Sequence, residues 1–210
     1  MNHLAHSNPA KRLMWALALG LVIALGALTS PMASADTDSQ DAAVTIIGGA
    51  IAVTNTAALD LTDSDGDDPS WSEDSQLVGD VTSGIQVQDH RGSAAGWYVT
   101  VESSDFDGSG DIDDESIDAD NFSVKVDNLS RVSGQAIHEA GLNPKGPKTS
   151  VDSYTAIDSA VTLIAADKGH GMGTYTFDAD YQLEIPALQL AGAYSATVTY
   201  TLYGSEVDSF

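Results

Sequence analysis

The sequence predicts an all-β fold, a single antiparallel β-sandwich or barrel-like domain, on three observations. Large apolar and polar side chains alternate in short segments such as residues 96–101 and 199–202, which is typical of half-buried strands. Clusters of Gly, Pro, Asp and Ser separate these segments. No segment of the β-rich part shows a convincing helical period. Many short strands without interleaved helices favour a sandwich or barrel of antiparallel strands.

The strands are predicted in chain order from the positions of the apolar residues. Residues 44–53 form the first strand, with a bulge or tight bend at Gly48 and Gly49, and residues 60–75 form a loop in which Trp71 folds back. A turn at residues 89–93 is a hairpin candidate, and residues 134–153 form a second loop. The expected inward residues of the earlier strands are Val44, Ile46, Ile51, Val53, Ile85, Val87, Trp97, Val99, Val101, Phe122, Val124, Val126, Val161 and Leu163. Three closing strands carry Tyr175 and Phe177, then Tyr181, Leu183 and Ile185, then Tyr194, Ala196, Val198, Tyr200 and Leu202.

The first 35 residues have the pattern of a Sec-type signal peptide. Lys11 and Arg12 precede an apolar run over residues 13–28, and Ala33 and Ala35 form a small-residue cleavage site. The alternative is an uncleaved membrane anchor, but the run is short against the ~20 residues that span a bilayer. The expected organisation is a cleaved signal peptide (1–35), a flexible acidic leader (36–42), a β-domain (43–203) and a short C-terminal tail (204–210). The protein is therefore expected to be secreted, with no transmembrane anchor after cleavage.

The composition limits the partners of the exported chain. The sequence has 31 acidic and 8 basic residues, and all of the acidic residues follow Ala35. Because cleavage removes Lys11 and Arg12, the exported chain has 6 basic residues and a net charge of −25. This charge repels nucleic acid and anionic membranes. The chain has no cysteine, so the fold is expected to depend on a hydrophobic core without disulfide bonds.

Two strand segments resemble the motifs of the WxL family of bacterial cell-surface domains, in which an early and a late Trp-x-Leu strand close a secreted module. Here the motifs read Trp97-Tyr98-Val99 and Tyr200-Thr201-Leu202, so Val99 replaces the early Leu and Tyr200 replaces the late Trp. Other blocks occur in the family's order, including an Asp-x-Arg-Gly turn before Gly-Trp. These blocks are residues 86–97, 103–106, 117–122, 183–186 and 191–194. The similarity covers about residues 44–202.

The resemblance implies an exported, non-catalytic β-domain that associates with the Gram-positive cell wall, through peptidoglycan or a wall-bound partner protein. It also implies that Trp97, Val99, Tyr200 and Leu202 are the motif residues. A second interpretation follows from the side chains alone, since a buried Trp and Tyr on facing strands would fix the register of any β-domain. Trp97 and Tyr200 are therefore expected to be core residues first. No sortase-type signal follows Leu202, so covalent anchoring is not expected.

One acidic segment resembles the front of an EF-hand loop, and calcium is the only cofactor that the sequence indicates. Oxygen-bearing side chains stand at alternate positions, at Asp105, Asp107, Ser109, Asp111 and Asp113. The closing Glu of such a loop is replaced by Ser116, and a second acidic cluster at residues 63–68 is shorter. The alternative is a solvated acidic turn, because Asp, Ser and Gly are ordinary turn residues.

No arrangement of residues indicates catalysis. His90, His138 and His170 lie in separate segments without metal-ligand spacing, and no Gly-x-Ser-x-Gly or phosphate-binding Gly loop occurs. The leading hypothesis is therefore a non-catalytic wall-associated surface protein. A secreted structural or adhesin subunit of a surface fibre, assembled through sheet edges, is the alternative. An extracellular hydrolase is the third hypothesis.

Overall fold

The computed structural model describes residues 44–55, 59–62 and 65–205. The predicted signal peptide, the acidic leader and most of the C-terminal tail lie outside these residues. In the described part, two 3-10 helices occur, Gly110–Ile112 and Ala119–Asn121, and neither is long or apolar enough to cross a membrane. The strands are β1 (Ile51–Thr54), β2 (Gln76–Asp89), β3 (Trp97–Ser103), β4 (Phe106–Gly108), β5 (Ser116–Ile117), β6 (Phe122–Gly134), β7 (Lys148–Thr149), β8 (Thr155–Ala156), β9 (Val161–Ala166), β10 (Gly173–Ile185), β11 (Tyr194–Ser195) and β12 (Val198–Tyr203).

The strands form antiparallel sheets that pack as a sandwich. The largest sheet has five strands in the order β1-β2-β10-β6-β8, and the second has four in the order β12-β3-β9-β7. A smaller sheet has the order β11-β4-β5. Neighbouring strands pair antiparallel in all three sheets. Within the described residues no sheet closes into a barrel. The predicted all-β fold is therefore confirmed, and of its two predicted forms the structure shows the sandwich.

The core lies between the inner faces of the two larger sheets. Trp97 of β3 belongs to the same buried cluster as Tyr175 of β10 and Phe122 of β6. The ring centroids of Trp97 and Tyr175 are 5.9 Å apart, and those of Phe122 and Tyr181 are 5.4 Å apart. Alternate side chains of β10 are buried from Tyr175 to Leu183, as the period of two in a strand requires. A single hydrophobic core therefore joins the sheets.

The strand β10 replaces two of the three predicted closing strands. It is one 13-residue strand that pairs with β2 on one side and β6 on the other. The prediction of two strands was wrong because Asp178 and Asp180 are typical turn residues. In the structure Ala179 points into the core between them, and Asp180 lies 3.3 Å from the ammonium of Lys125 on the outer face. The apolar alternation therefore continues without a break.

The predicted terminal strand is divided between two sheets. The strand β11 pairs with β4 in the small sheet, and β12 forms the edge of the four-stranded sheet. Between them, Thr197 forms two hydrogen bonds with Ser104. The backbone N–H of Ser104 donates to the carbonyl of Thr197 at 3.1 Å, and the backbone N–H of Thr197 donates to the Oγ of Ser104 at 3.0 Å. The sequence alternation cannot reveal this change of sheet, because both strands keep the same inward face.

The predicted hairpin at residues 89–93 is not formed. The strands on either side of this turn lie in different sheets, since β2 pairs with β1 and β10, and β3 pairs with β12 and β9. The turn instead carries the chain from the five-stranded sheet to the four-stranded sheet. It therefore connects the two halves of the sandwich directly before Trp97.

The first strand begins later than predicted, at Ile51. Residues 44–50 are outside any strand, and Ile46 is 89% exposed, so its expected inward position was wrong. The backbone N–H of Gly49 donates to the carbonyl of His90 at 2.7 Å. A Cβ atom at Gly48 would lie 2.0 Å from the carbonyl oxygen of Arg91. The glycine pair therefore allows close approach of this segment to the turn at residues 89–93.

Candidate functional site: the paired motif strands

The two motif segments are neighbouring strands in the structure. In the pairing of β3 with β12, Val99 lies opposite Leu202 and Val101 lies opposite Tyr200. Trp97 and Val99 have no exposed surface, and Tyr200 and Leu202 are half-buried and pack against the core. The structure therefore brings all four motif residues together on one strand pair, with their side chains on its core face.

The indole of Trp97 forms a hydrogen bond with Gly171 and packs closely against it. Its indole N–H donates to the carbonyl of Gly171 at 2.8 Å, and its ring packs at a tilt of 43° against Tyr175. Gly171 has a φ of +80°, which favours glycine. A Cβ atom at this position would lie 2.5 Å from the indole nitrogen. A side chain at position 171 would therefore displace the first motif residue.

We expect Gly171→Ala to destabilise the fold more than Gly169→Ala. Gly169 has a similar φ of +90°, but a Cβ atom there would meet no other atom within 4 Å. The control should therefore lose only the cost of the left-handed backbone, about 1 kcal/mol. Overpacking against the indole and against the Cβ of Ala166, which would also lie 2.5 Å away, should cost a further ~1–3 kcal/mol in Gly171→Ala. Urea unfolding of both variants measures the difference, and equal losses would contradict the close contact with Trp97.

An ion pair in the turn before Trp97 links three parts of the chain. The side chain of Asp89 has no exposed surface, and the Nε and Nη2 atoms of Arg91 each donate to one of its oxygens at 2.9 Å. Arg91 also donates through Nη2 to the carbonyl of Gly96 at 2.8 Å and through Nη1 to the carbonyl of Gly204. The guanidinium therefore joins the end of β2, the start of β3 and the residue that follows β12.

The electrostatics of this pair favour the charged carboxylate. Burial alone raises the pKa of Asp89, but the hydrogen bonds from the side chain and backbone N–H of Arg91 and the charge of Arg91 outweigh it, so the pKa lies below its ordinary value. The sequence predicted a turn at these residues and a block of the family resemblance, but it did not reveal the ion pair. The available signal was an arginine two residues after an aspartate, in a chain with only 8 basic residues.

Tyr200, which stands in place of the late motif Trp, makes a hydroxyl contact across the sandwich. Its hydroxyl forms a hydrogen bond with the hydroxyl of Tyr181 on β10, whose side chain is 1% exposed. Burial raises the pKa of both hydroxyls, so both are protonated at neutral pH. A tryptophan at position 200 would lack a hydroxyl to pair with Tyr181. The apolar pattern of the strands gave no sign of this polar pair.

We expect Tyr200→Phe to cost about 1–3 kcal/mol, because it leaves the hydroxyl of Tyr181 buried without its partner. The double variant Tyr181→Phe/Tyr200→Phe should be closer to the parent, since it removes both polar groups and keeps the ring volumes. Urea unfolding of the parent, the two single variants and the double variant gives the coupling energy. Additive losses would show that the two hydroxyls do not interact.

The outward face of the same strand pair carries a second aromatic contact. The rings of Tyr98 and Tyr203 stack with their centroids 4.5 Å apart, and Tyr203 is 41% exposed. In contrast, Trp97 and Val99 cannot touch a molecule outside the domain unless the core opens. Trp97 and Val99 therefore stabilise the core, and a ligand of the folded domain would contact other residues.

The acidic segment proposed for calcium spans β4 and the following 3-10 helix. Asp105 accepts a hydrogen bond from the backbone N–H of Ala119 at 2.8 Å, and the hydroxyl of Ser109 donates to the carbonyl of Ala193 at 3.2 Å. Asp107 lies in β4, Asp111 lies in the 3-10 helix and Asp113 is its C-terminal cap residue. Among the described residues, no three His, Asp or Glu side chains form a group that could hold a metal ion. Calcium binding here stays a prediction.

Calcium binding at this segment is expected to raise the melting temperature, because a bound ion relieves repulsion among the carboxylates. The affinity should be in the millimolar range of extracellular sites, since Ser116 replaces the closing Glu. Melting with calcium, with chelator and with sodium at equal ionic strength tests this in the parent and in Asp111→Asn/Asp113→Asn. A rise that the double variant loses supports a site. An equal rise in melting temperature with sodium would show that the cation only screens the acidic surface and that no calcium site is present.

The fold and the motif geometry define a class of protein, a β-sandwich domain that is closed by two paired motif strands and stabilised by an ion pair with a buried carboxylate. The family model described as "WxL domain surface cell wall-binding" matches residues 49–205, which include both motifs and the turn between β2 and β3. The chain therefore belongs to the WxL family, and the family prediction is confirmed. Neither the curated proteins nor the solved structures that were compared include a match to the chain.

Proposed function

We propose that this protein is exported and held non-covalently at the surface of a Gram-positive-type cell wall by its β-domain, without catalysing a reaction. The observation that carries the proposal is the match to the wall-binding family over residues 49–205. The partner is peptidoglycan or a protein bound to the wall. The ion pair and the buried motif residues support the proposal, because they keep the domain closed even though both motifs depart from Trp-x-Leu.

The charge of the protein limits the kind of contact that it can make with the cell wall. An exported chain with a net charge of −25 is repelled by anionic polymers, and salt would weaken that repulsion. The contact is therefore expected to use uncharged groups, such as aromatic rings and amides. Such a contact should persist at high salt, since it does not depend on long-range charge.

Sedimentation of the exported protein with isolated Gram-positive cell walls tests the proposal. We expect the protein to sediment with walls at both low and 1 M salt, and to stay in solution without them. Walls treated with protease distinguish the two partners, because retention on them requires peptidoglycan and loss requires a wall protein. Absence of retention on walls and on co-expressed surface proteins would refute the proposal. Filaments that sediment without walls would instead support a fibre subunit.

A further inference from the structure

A shallow groove lies between the loop that precedes β2 and the loop that follows β10. Its lining includes Trp71, Gln76, Pro186, Gln189 and Tyr194, and its volume is about 140 Å³. Pockets that enclose a whole small ligand have volumes of ~300 Å³ or more. The groove can therefore receive one ring of a larger ligand, with the rest of the ligand outside.

Exposed apolar side chains surround this groove. Trp71 was expected to fold back onto the domain, and it lines the groove with 55% of its surface still exposed. Leu190 in the lining is 49% exposed, and Leu188 in the same loop is 60% exposed. Leu188 also has a φ of +62°, which a bulky side chain rarely adopts. Exposed apolar patches and strained backbone are both concentrated at binding sites.

Hydrogen bonds hold the polar groups of the groove in place. The hydroxyl of Tyr194 donates to the carbonyl of Leu190 at 2.8 Å and accepts from Nε2 of Gln189 at 2.9 Å. Nε2 of Gln76 donates to the carbonyl of Ser70 at 2.7 Å. The Oε1 atoms of both glutamines accept no hydrogen bond from the described residues. The groove therefore presents the fixed ring of Tyr194 and the exposed ring of Trp71 beside two amide oxygens that are available to a ligand.

The two loops that form the groove are also joined to each other. The backbone N–H of Leu188 donates to the carbonyl of Ser72 at 3.1 Å, which ties the loop after β10 to the loop before β2. Ser72 in turn accepts the backbone N–H of Asp74 through its hydroxyl at 3.0 Å. The backbone beside Trp71 is thereby tied to the loop after β10 before a ligand binds, which lowers the ordering cost of binding.

The lining of the groove identifies the chemistry of its ligand. None of the lining residues is charged, although the chain has 31 acidic residues. Phosphate or carboxylate groups would require Arg or Lys for strong binding, and the net negative charge repels them. A sugar ring has one face of C–H groups that packs on an indole, and hydroxyl and acetamido groups that donate to amide oxygens. We propose that the groove binds an uncharged N-acetylated sugar of the wall glycan, an inference that rests on the proposed function.

Binding of a soluble glycan tests the groove directly. The probe is the tetramer of β-1,4-linked N-acetylglucosamine, with maltotetraose as the ligand without acetamido groups. After cleavage of the signal peptide the protein contains Trp71 and Trp97, and only Trp71 is exposed. We expect a saturable change in tryptophan fluorescence with the acetylated tetramer and none with maltotetraose. Equal responses to both, or no response to either, would overturn the inference.

Variants locate the site. Trp71→Ala should lower the affinity for the acetylated tetramer at least about tenfold in ligand-observed NMR, as truncation of a central aromatic contact does. Trp71→Phe should keep part of the affinity, because it keeps an aromatic face. The matched control is Tyr154→Ala, since Tyr154 is 45% exposed and lies outside the groove. All three variants should melt like the parent. Loss of affinity in Tyr154→Ala equal to that in Trp71→Ala would contradict the assignment.

Sedimentation with untreated walls and with protease-treated walls separates this inference from the proposed function. If the parent is retained and Trp71→Ala is released, both are supported. If both are retained and no glycan binds, the groove assignment fails and the wall function stands. If the parent binds the tetramer through Trp71 but not walls, the groove assignment stands and the wall function fails. If Trp71→Ala is released only from walls that keep their proteins, the groove binds a protein and the glycan assignment is overturned.

Discussion

Replacement of Trp97 by alanine is expected to lower the free energy of unfolding by about 3–5 kcal/mol. The indole has no exposed surface, packs on Tyr175 and donates to the carbonyl of Gly171 at 2.8 Å. Its removal would leave a cavity between the two sheets and a buried carbonyl without its donor. Urea unfolding at neutral pH measures the loss.

The matched control for this prediction is Trp71→Ala, which removes the same side chain from the surface. Trp71 is 55% exposed, so its removal should change the free energy of unfolding by about 0.5 kcal/mol or less. The fraction of Trp97→Ala that sediments with walls should be proportional to the fraction of the variant that is folded. If Trp97→Ala unfolds like the parent but no longer sediments with walls, Trp97 is a binding residue and its core role is wrong.

The sequence predicted the fold class because apolar and polar residues alternate cleanly in the strands that form the core. The inward residues of β3 and β6 lie as the alternation requires, with Trp97, Val101 and Phe122 fully buried. The order of strands in the sheets could not be predicted, because pairing depends on contacts far apart in the chain. The motif strands β3 and β12 are about a hundred residues apart, and alternation alone does not show that they are neighbours.

Polar residues caused several of the errors and omissions. Asp178 and Asp180 look like turn residues in the sequence, but they lie on the outer face of a continuous strand. Asp89 looks like an ordinary turn residue, but it is buried and paired with Arg91. The role of a polar side chain depends on the partner that the fold brings to it, and one sequence does not contain that information. The sequence also did not reveal the aromatic lining of the groove, because the fold brings its rings together from two loops that are distant in the chain.

Replacement of Arg91 by methionine is expected to cost about 3 kcal/mol at neutral pH, because it leaves the carboxylate of Asp89 buried without its partner. The variant also loses the donors to the carbonyls of Gly96 and Gly204, which connect the turn to both motif strands. The matched control is Lys125→Met. It breaks a more exposed ion pair, 2.7 Å from Asp127, and should cost clearly less. Urea unfolding of both variants at pH 7 provides the comparison.

The pH dependence shows whether the buried carboxylate causes this loss. In the parent the pKa of Asp89 lies below its ordinary value of 3.8, so the pair stabilises the fold above about pH 4 and loses this effect as the pH falls further. Without Arg91, burial alone acts on Asp89 and raises its pKa, so acid neutralises the carboxylate and removes its cost. The difference between parent and Arg91→Met should therefore shrink from pH 7 to pH 3. A difference that stays constant over this range would show that the loss comes from packing and from the carbonyl contacts, and not from an unpaired charge.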